Sequence, residues 1–188
     1  KQYYSWQGNT LKLTGDNGEA EYFNPENMKP ATGKKADERK TINGELEHCK
    51  ASGATAFLRG DNLFVAHADG RETQISNDGS REIVYGQAVH RNEFGIMKGT
   101  FWSNDGQKLA FYRMDQSMVD DYPQVNTFAR IAQHEPDKYP MAGMTSHKVQ
   151  VGIYDLATDK TIYLDLGDVT DRYFTNITWS PDDKTLYL

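Results

Sequence analysis

The side chains that could do chemistry in this sequence do not form a known catalytic or metal-binding motif. There is no Gly-x-Ser-x-Gly of an α/β-hydrolase nucleophile, no glycine-rich phosphate loop and no His-Glu-x-x-His zinc motif. The histidines lack the spacing of metal ligands; they are His48, His67, His90, His134 and His147. The sequence therefore predicts no catalytic residue, no metal ligand and no cofactor within this chain.

The single cysteine, Cys49, stands next to His48, and such a pair could hold a metal or form a reactive thiolate. Neighbouring residues on a strand point to opposite faces of a sheet. We therefore interpret Cys49 as a small core residue. With one cysteine, an internal disulfide and a cysteine-only metal cage are both excluded.

The composition limits the classes of protein to which this chain could belong. The 188 residues carry a formal net charge of −6, with 37% hydrophobic and 12% aromatic residues. This is enough apolar material to build a core, so wholesale disorder is not expected. The acidic balance argues against nucleic acid or an anionic membrane as the main partner. No apolar run approaches the roughly 20 residues that span a bilayer.

Short apolar runs separated by Asn, Asp and Gly turns are typical of antiparallel hairpins, because these residues tolerate positive φ. Amphipathic helix is scarce, and we predict only one helical turn, at residues 130–133, before Pro136 and Pro140. The predicted strands are residues 55–58, 63–66, 109–112, 149–154, 161–164 and 175–179.

The sequence also contains an internal repeat. Residues 101–111 and 178–187 share a strand, a Trp-Ser-x-Asp turn, a lysine and a second strand, and residues 50–58 form a degenerate third copy. Repeated sets of four short antiparallel strands indicate a β-propeller, which closes with roughly 4–8 blades. We therefore predict an all-β fold, a partial β-propeller of about three four-stranded antiparallel blades in an open fragment. A two-layer sandwich with similar hairpins is the alternative.

Three segments together carry a family resemblance: residues 83–95, 99–115 and 139–143. They strongly resemble the N-terminal β-propeller of the dipeptidyl peptidase IV family of serine exopeptidases, especially its bacterial members, including prolyl tripeptidyl peptidases. The resemblance covers residues 54–188 well and residues 1–50 loosely, as the preceding blade. It implies that residues 1–188 are a fragment of an N-terminal propeller domain, and that the α/β-hydrolase domain with the Ser-Asp-His triad lies outside them in the same parent chain.

The resemblance implies one substrate-binding residue, Glu93. In this family the segment matching residues 91–94 supplies an acidic clamp for the free α-amino group of the substrate. Dipeptidyl members typically have two adjacent glutamates there, whereas Asn92 precedes Glu93 here. This departure resembles the tripeptidyl pattern and leaves open whether di- or tripeptides are released. The alternative is a solvated loop carboxylate. If Glu93 is a clamp, its neighbours should hold it and it should not pair with Arg91.

The implied function is the non-catalytic propeller portion of a periplasmic or secreted serine exopeptidase that cleaves after proline. Its implied partners are a peptide with a free N-terminus, the hydrolase domain and, because open blade edges can pair, a second copy in a homodimer. The alternative from another class is a stand-alone β-propeller interaction module without enzymatic activity.

Four residues and one turn receive structural interpretations. We expect Arg113 and Asp115 to pair with each other and to position the long connection over residues 113–148, with an approach to the hydrolase domain as the alternative. Residues 139–143 are expected to form a rigid turn at the domain interface. We interpret Trp102 and Trp179 as core residues because they recur at equivalent positions of the repeat.

Overall fold

The computed structural model describes residues 3–7, 10–14, 20–24, 27 and 46–188. The chain divides into two compact units, Lys1–Glu38 and Arg39–Leu188. The described part of the first unit is a three-stranded antiparallel sheet with β2 in the centre, formed by β1 (Tyr3–Gln7), β2 (Thr10–Thr14) and β3 (Ala20–Phe23). The rest of residues 1–45, which the sequence assigned loosely to a preceding blade, lies outside the described residues.

The described part of the second unit consists of short strands and one 3-10 turn at His90–Gly95. In chain order the strands are β4 (Glu47–His48), β5 (Thr55–Arg59), β6 (Asn62–Ala66), β7 (Glu72–Gln74), β8 (Ile83–Tyr85), β9 (Thr100–Trp102), β10 (Lys108–Asp115), β11 (Asp121–Tyr122), β12 (Val125–Asn126), β13 (Gln133–His134), β14 (Asp137–Lys138), β15 (Lys148–Asp155), β16 (Lys160–Tyr163), β17 (Thr178–Trp179) and β18 (Leu186–Tyr187).

The strands form successive antiparallel sheets. Strands β4 to β7 make a four-stranded meander, β17 and β18 make a hairpin, and the sheet between them has the order β16-β15-β10-β8. Strand β9 also pairs with β10, so β8 and β9 lie along the same edge of β10 one after the other.

The turn between β5 and β6 follows from its residues. Gly60 and Asp61 both have positive φ, as a two-residue type I′ hairpin requires.

The central sheet is buried on both faces, because its strand β10 alternates between two cores. Leu109 and Phe111 pack with the β5–β6 hairpin in one core. Ala110, Tyr112 and Met114 pack in the other core, which also includes parts of residues 174–186. The long apolar run of β10 is therefore needed to join the sheets before and after it.

The predicted repeat is visible in hydrogen bonds. The Ser103 hydroxyl donates a hydrogen bond to the Asp105 carboxylate at 2.6 Å, and the Ser180 hydroxyl donates one to the Asp182 carboxylate at 2.7 Å. Immediately before the degenerate copy at residues 50–58, Cys49 takes the position of the serine, and its backbone amide closes the same kind of turn. Cys49 is buried, which confirms its interpretation as a core residue.

The two repeated tryptophans join neighbouring sheets. The indole of Trp102 donates to the Glu47 carbonyl at 3.2 Å, and that of Trp179 donates to the Phe101 carbonyl at 2.9 Å. Both rings are half-buried and pack against the cores, so they are core-flanking residues with a polar contact. Each tryptophan therefore fixes the distance between its own sheet and the one before it.

The connection over residues 113–148 is more ordered than predicted. Pairing of β11 with β14 and of β12 with β13 turns it into a two-stranded arm. Near its tip, Phe128 is 100% exposed and Ile131 is 80% exposed. The helical turn predicted at residues 130–133 was wrong, because the chain there enters β13. Among the described residues, no helix has the length and apolar character needed to cross a membrane.

Candidate functional site

The candidate site stands on a loop that leaves the central sheet between β8 and β9. Its two ends are held together by the backbone of one residue of β10: Gly86 N–H donates to the Tyr112 carbonyl, and Tyr112 N–H donates to the Gly99 carbonyl, both at 2.9 Å. A Cβ on Gly99 would lie 2.0 Å from the Gln87 carbonyl oxygen, so only glycine allows the loop to close. Residues 86–99 therefore project from a fixed base.

One turn of this loop has an unusual backbone. Every residue of His90–Gly95 except Glu93 has left-handed φ, between 52° and 74°. Val89 and Ile96, which flank this segment, are 1% and 5% exposed and anchor it in the core. Left-handed φ is costly for residues other than glycine and is found preferentially at functional sites. The turn therefore keeps its shape because the buried residues on both sides hold it.

Glu93 is exposed on this turn and has a defined partner. Its Oε2 accepts a hydrogen bond from the Tyr173 hydroxyl at 3.0 Å, and the neighbouring carboxylate raises the pKa of that hydroxyl. Arg91 is engaged elsewhere: it pairs with Asp137 at 2.7 Å and lies over the Tyr139 ring. Both contacts agree with the geometry expected of a clamp, while the clamp role itself stays a prediction.

Tyr173 is held from two directions. Its ring lies 4.1 Å from the His90 ring and 4.8 Å from the Phe94 ring, centroid to centroid. The next residue, Phe174, accepts a hydrogen bond at its carbonyl from the Tyr112 hydroxyl. Tyr112 therefore fixes both the loop that carries Glu93 and the segment that carries its partner.

A buried pair of histidines underlies the turn. His147 Nε2 lies 2.7 Å from His90 Nδ1, so one ring donates to the other. Burial lowers the pKa of His90 to about 4, with a further contribution from His147, and burial also lowers the pKa of His147. Both rings are therefore neutral at pH 7. His90 Nε2 is buried without a partner among the described groups.

A cup opens beside Glu93, between the His90–Gly95 turn and the following turn at residues 139–144. Its volume is about 180 Å³, and its lining includes Glu93, Tyr173, Tyr139, Met141 and Met144. A larger cavity, about 700 Å³, lies elsewhere, between the β15–β16 hairpin and the β17–β18 hairpin, and has no lining residue in common with the cup.

The structure corrects one pairing from the sequence. Arg113 does not pair with Asp115: it binds Asp78 at 3.0 Å and the Tyr85 hydroxyl at 3.0 Å. Asp115 instead accepts hydrogen bonds from the backbone and hydroxyl of Ser117, where the connection begins. The geometric reason is the register of β10 against β8, which places Tyr85 directly opposite Arg113.

Two further expectations concern metals and the turn at residues 139–143. Among the described residues, no group of three or more His, Cys, Asp or Glu side chains could hold a metal ion. Residues 139–143 do enter a tight turn, closed by a hydrogen bond from Met144 N–H to the Met141 carbonyl at 2.9 Å. Its place at a domain interface stays a prediction.

Sequence reasoning missed the residues that surround Glu93. Tyr173, His147 and Met144 are far from it along the chain and belong to no local motif. They reach it because β10 and β15 pair and because residues 173–174 pack on Tyr112. Only the strand pairing could have revealed them.

Comparison with known proteins identifies the family. The profile described as the dipeptidyl peptidase IV N-terminal region matches residues 12–188. The chain belongs to this family. A solved structure from Bacteroides ovatus, assigned as a dipeptidyl aminopeptidase IV, is 45% identical with a TM-score of 0.70, and the match covers 99% of this chain and 24% of that one. The all-β partial β-propeller is therefore confirmed, and the sandwich alternative is wrong.

Other relatives agree. A protein of Phaeosphaeria nodorum assigned as dipeptidyl-aminopeptidase B is 33% identical over 148 residues, which cover 69% of this chain and 16% of the relative. The structure of Porphyromonas gingivalis dipeptidyl peptidase 4 has a TM-score of 0.58 at 22% identity, covers 90% of this chain and 24% of that one, and supports the fold alone. The chain thus spans about a sixth to a quarter of the proteins it matches.

Proposed function

We propose that this chain is the non-catalytic propeller portion of a serine exopeptidase, which anchors the free N-terminus of a peptide so that di- or tripeptides are released after proline. The catalytic Ser, Asp and His belong to an α/β-hydrolase domain of the same parent chain, outside residues 1–188. The observation that supports this most is the presentation of Glu93: an exposed carboxylate on a strained turn, oriented by Tyr173, with Arg91 already paired to Asp137.

The physical basis of the anchor is a fixed distance between the carboxylate and the catalytic nucleophile. An exopeptidase must count residues from the charged amine, and a carboxylate at a fixed distance from the nucleophile provides the reference point. A charge-assisted hydrogen bond contributes about 1.5–3 kcal/mol, and more where a bound peptide excludes water. A peptide with a blocked N-terminus loses this contribution and leaves the carboxylate covered and unpaired. The anchor therefore discriminates against blocked ends and internal bonds.

The fold supports a second, gating role. A ring of blades admits an extended peptide and excludes a folded protein, so the propeller limits which substrates reach the catalytic domain. We extend the proposal to a parent protein that acts in the periplasm or outside the cell and that forms a homodimer. Asn92 provides an amide where dipeptidyl members have a second glutamate, so one carboxylate carries the ammonium group in this proposal.

The test is Glu93→Gln in the intact protein that carries this chain. The change keeps the shape and removes the charge, so kcat/KM for free-amine peptides should fall about tenfold or more, the scale of one charged contact. N-acetylated peptides should be unaffected. Glu135→Gln, an exposed carboxylate on the arm, is the matched control and should leave both substrate types unchanged.

Unchanged kinetics of Glu93→Gln on free-amine peptides would reject the anchor. The stand-alone propeller module is distinguished by the parent reading frame. A Gly-x-Ser-x-Gly motif followed by Asp and His supports the peptidase, whereas further blades without a hydrolase domain support the interaction module.

A further inference from the structure

Arg91 is a potential competitor for the carboxylate that the peptide must find free. Residues two positions apart have Cα atoms at most about 7 Å apart, a distance that a flexible arginine side chain spans. Arg91 and Glu93 both line the cup. Burial lowers the pKa of His147, whereas the charge of Glu93 raises it and that of Arg91 lowers it, so both charges lie within electrostatic range of one ring. A guanidinium without another partner would therefore pair with Glu93.

Arg91 is instead held by three consecutive residues at the base of the arm. Its Nη1 donates a hydrogen bond to Asp137 Oδ2 at 2.7 Å and a longer one to the Lys138 carbonyl at 3.4 Å. Its guanidinium carbon lies 4.7 Å from the Tyr139 ring centroid, within the range of a cation–π contact. Of these three partners, Asp137 is the one that neutralises the charge of Arg91, through a charge-assisted hydrogen bond.

The position of Asp137 is set by the arm and not by the loop over residues 86–99. Asp137 belongs to β14, which pairs with β11 at the base of the arm. The Arg81 guanidinium holds both sides of this base, since it pairs with Asp121 at 2.6 Å and donates a hydrogen bond to the Pro136 carbonyl at 2.9 Å. The ion pair between Asp137 and Arg91 therefore joins two separate elements of the fold.

We propose that Asp137 is a positioning residue, which holds Arg91 away from Glu93 and so keeps that carboxylate free for the ammonium group of a peptide. Asp137 acts through Arg91 and makes no contact with the peptide. This inference rests on the proposed function of Glu93, because a carboxylate without a ligand to bind needs no protection from a competing cation. It makes the availability of the anchor depend on the base of the arm, an element outside the loop that carries Glu93.

The experiment uses Asp137→Asn in the intact protein, with peptides that have a free or an acetylated N-terminus. The change keeps the shape of the side chain and removes its charge, so Arg91 is released to pair with Glu93. KM for free-amine peptides should rise about threefold to fivefold, the scale of one exposed ion pair, while kcat stays within twofold. Acetylated peptides should not respond. Asp137→Glu keeps the carboxylate and should restore most of the affinity for free-amine peptides.

A double-variant cycle with Arg91→Met separates positioning from a purely structural role. In the Arg91→Met background the competing charge is gone, so adding Asp137→Asn should change KM for free-amine peptides less than twofold. A structural role of the arm base, or a direct contact of Asp137 with the peptide, would keep the full effect in both backgrounds. Asp120→Asn is the matched control, because Asp120 is exposed at the same base and contacts Tyr139 through its backbone carbonyl. It should leave KM unchanged.

The two proposals fail in different ways. If Glu93→Gln does not affect free-amine peptides, the anchor fails, and the role of Asp137 fails with it. If Glu93→Gln has its expected effect but Asp137→Asn leaves KM unchanged, or raises it equally with and without Arg91, the anchor stands and the positioning role is rejected. If Asp137→Asn does not fold, as judged by thermal unfolding, Asp137→Ser carries the same test.

Discussion

The histidine pair beneath the Glu93 turn shows how a single contact links the turn to the sheet. His90 belongs to the turn, His147 lies one residue before β15, and their 2.7 Å hydrogen bond requires that at least one ring be neutral. The Tyr173 ring packs against His90, and the charges of Glu93 and Arg91 lie near His147. Protonation of both rings would place two positive charges in contact, which makes the turn sensitive to acid.

This arrangement predicts a pH dependence of stability. The pKa of His90 is about 4 in the folded chain, against 6.5 as the ordinary value, so between these limits the unfolded chain binds more protons. The contribution of His90 to the free energy of unfolding is therefore fully present above pH 6.5, and up to about 3 kcal/mol of it is lost as the pH approaches 4. Denaturant unfolding of this chain at pH 4 to 8 measures the effect.

A double variant isolates this contribution. His90→Phe with His147→Leu removes both titrating groups together and should flatten the curve between pH 4 and 6.5, whereas His134→Gln, an exposed histidine of the arm, should not. The pKa of Asp78 is lowered by its hydrogen bond from Tyr85, so the contribution of Asp78 to the free energy of unfolding is lost only below this pH range. An unchanged slope in the double variant would contradict the role of the pair.

At the scale of elements, the loop over residues 86–99 depends on β10 more than on its own sequence. Tyr112 binds both ends of the loop through its backbone and binds Phe174 through its hydroxyl. Burial, at 1% exposure, raises the pKa of that hydroxyl to about 12, so it remains a donor throughout the physiological range. One strand residue thus aligns the two segments that meet at Glu93 and Tyr173.

Tyr112→Phe tests this alignment. The Phe174 carbonyl would lose its donor in a buried setting, at a cost of about 1–3 kcal/mol in the free energy of unfolding. In the intact protein KM for free-amine peptides should rise, because Glu93 loses the segment that orients it, and acetylated peptides should not respond. Tyr187→Phe, at 55% exposure, is the control. Equal effects on both peptide types would indicate a purely structural role.

The same elements show what the sequence could predict. The Ser103 and Ser180 turns are local, since a hydroxyl, a carboxylate and an amide within a few residues define them, and the repeat therefore predicted the sheets correctly. The ordered arm and the partners of Glu93 depend on pairing between distant strands. Tyr173 has no sequence signal, and Arg113 was paired wrongly because the register of β8 against β10 was unknown.

In the chain as a whole, the central sheet of the second unit packs between two cores, but it has an exposed edge. Strand β16 lies at the edge of its sheet, with Ile162 and Tyr163 at 59% and 43% exposure. Exposed edge strands with apolar side chains are templates for pairing with another chain. This agrees with the proposed self-association of the protein.

Light scattering of this chain should therefore show concentration-dependent association. Ile162→Lys places a charge on the β16 edge and should shift the population towards monomer, because a charged edge opposes pairing. Lys148→Arg, which keeps the charge at an exposed end of β15, is a neutral control. A monomer at all concentrations in the unmodified chain would count against association through this edge.

The proposed function depends on one carboxylate that recognises the ammonium end of a peptide. The most direct measurement is a thermodynamic cycle by calorimetry, in which the intact protein and its Glu93→Gln variant each bind a non-cleavable peptide with a free or an acetylated N-terminus. We expect a coupling energy between the carboxylate and the amine of about 1.5–3 kcal/mol. A coupling energy near zero, with both peptides losing the same affinity, would contradict it.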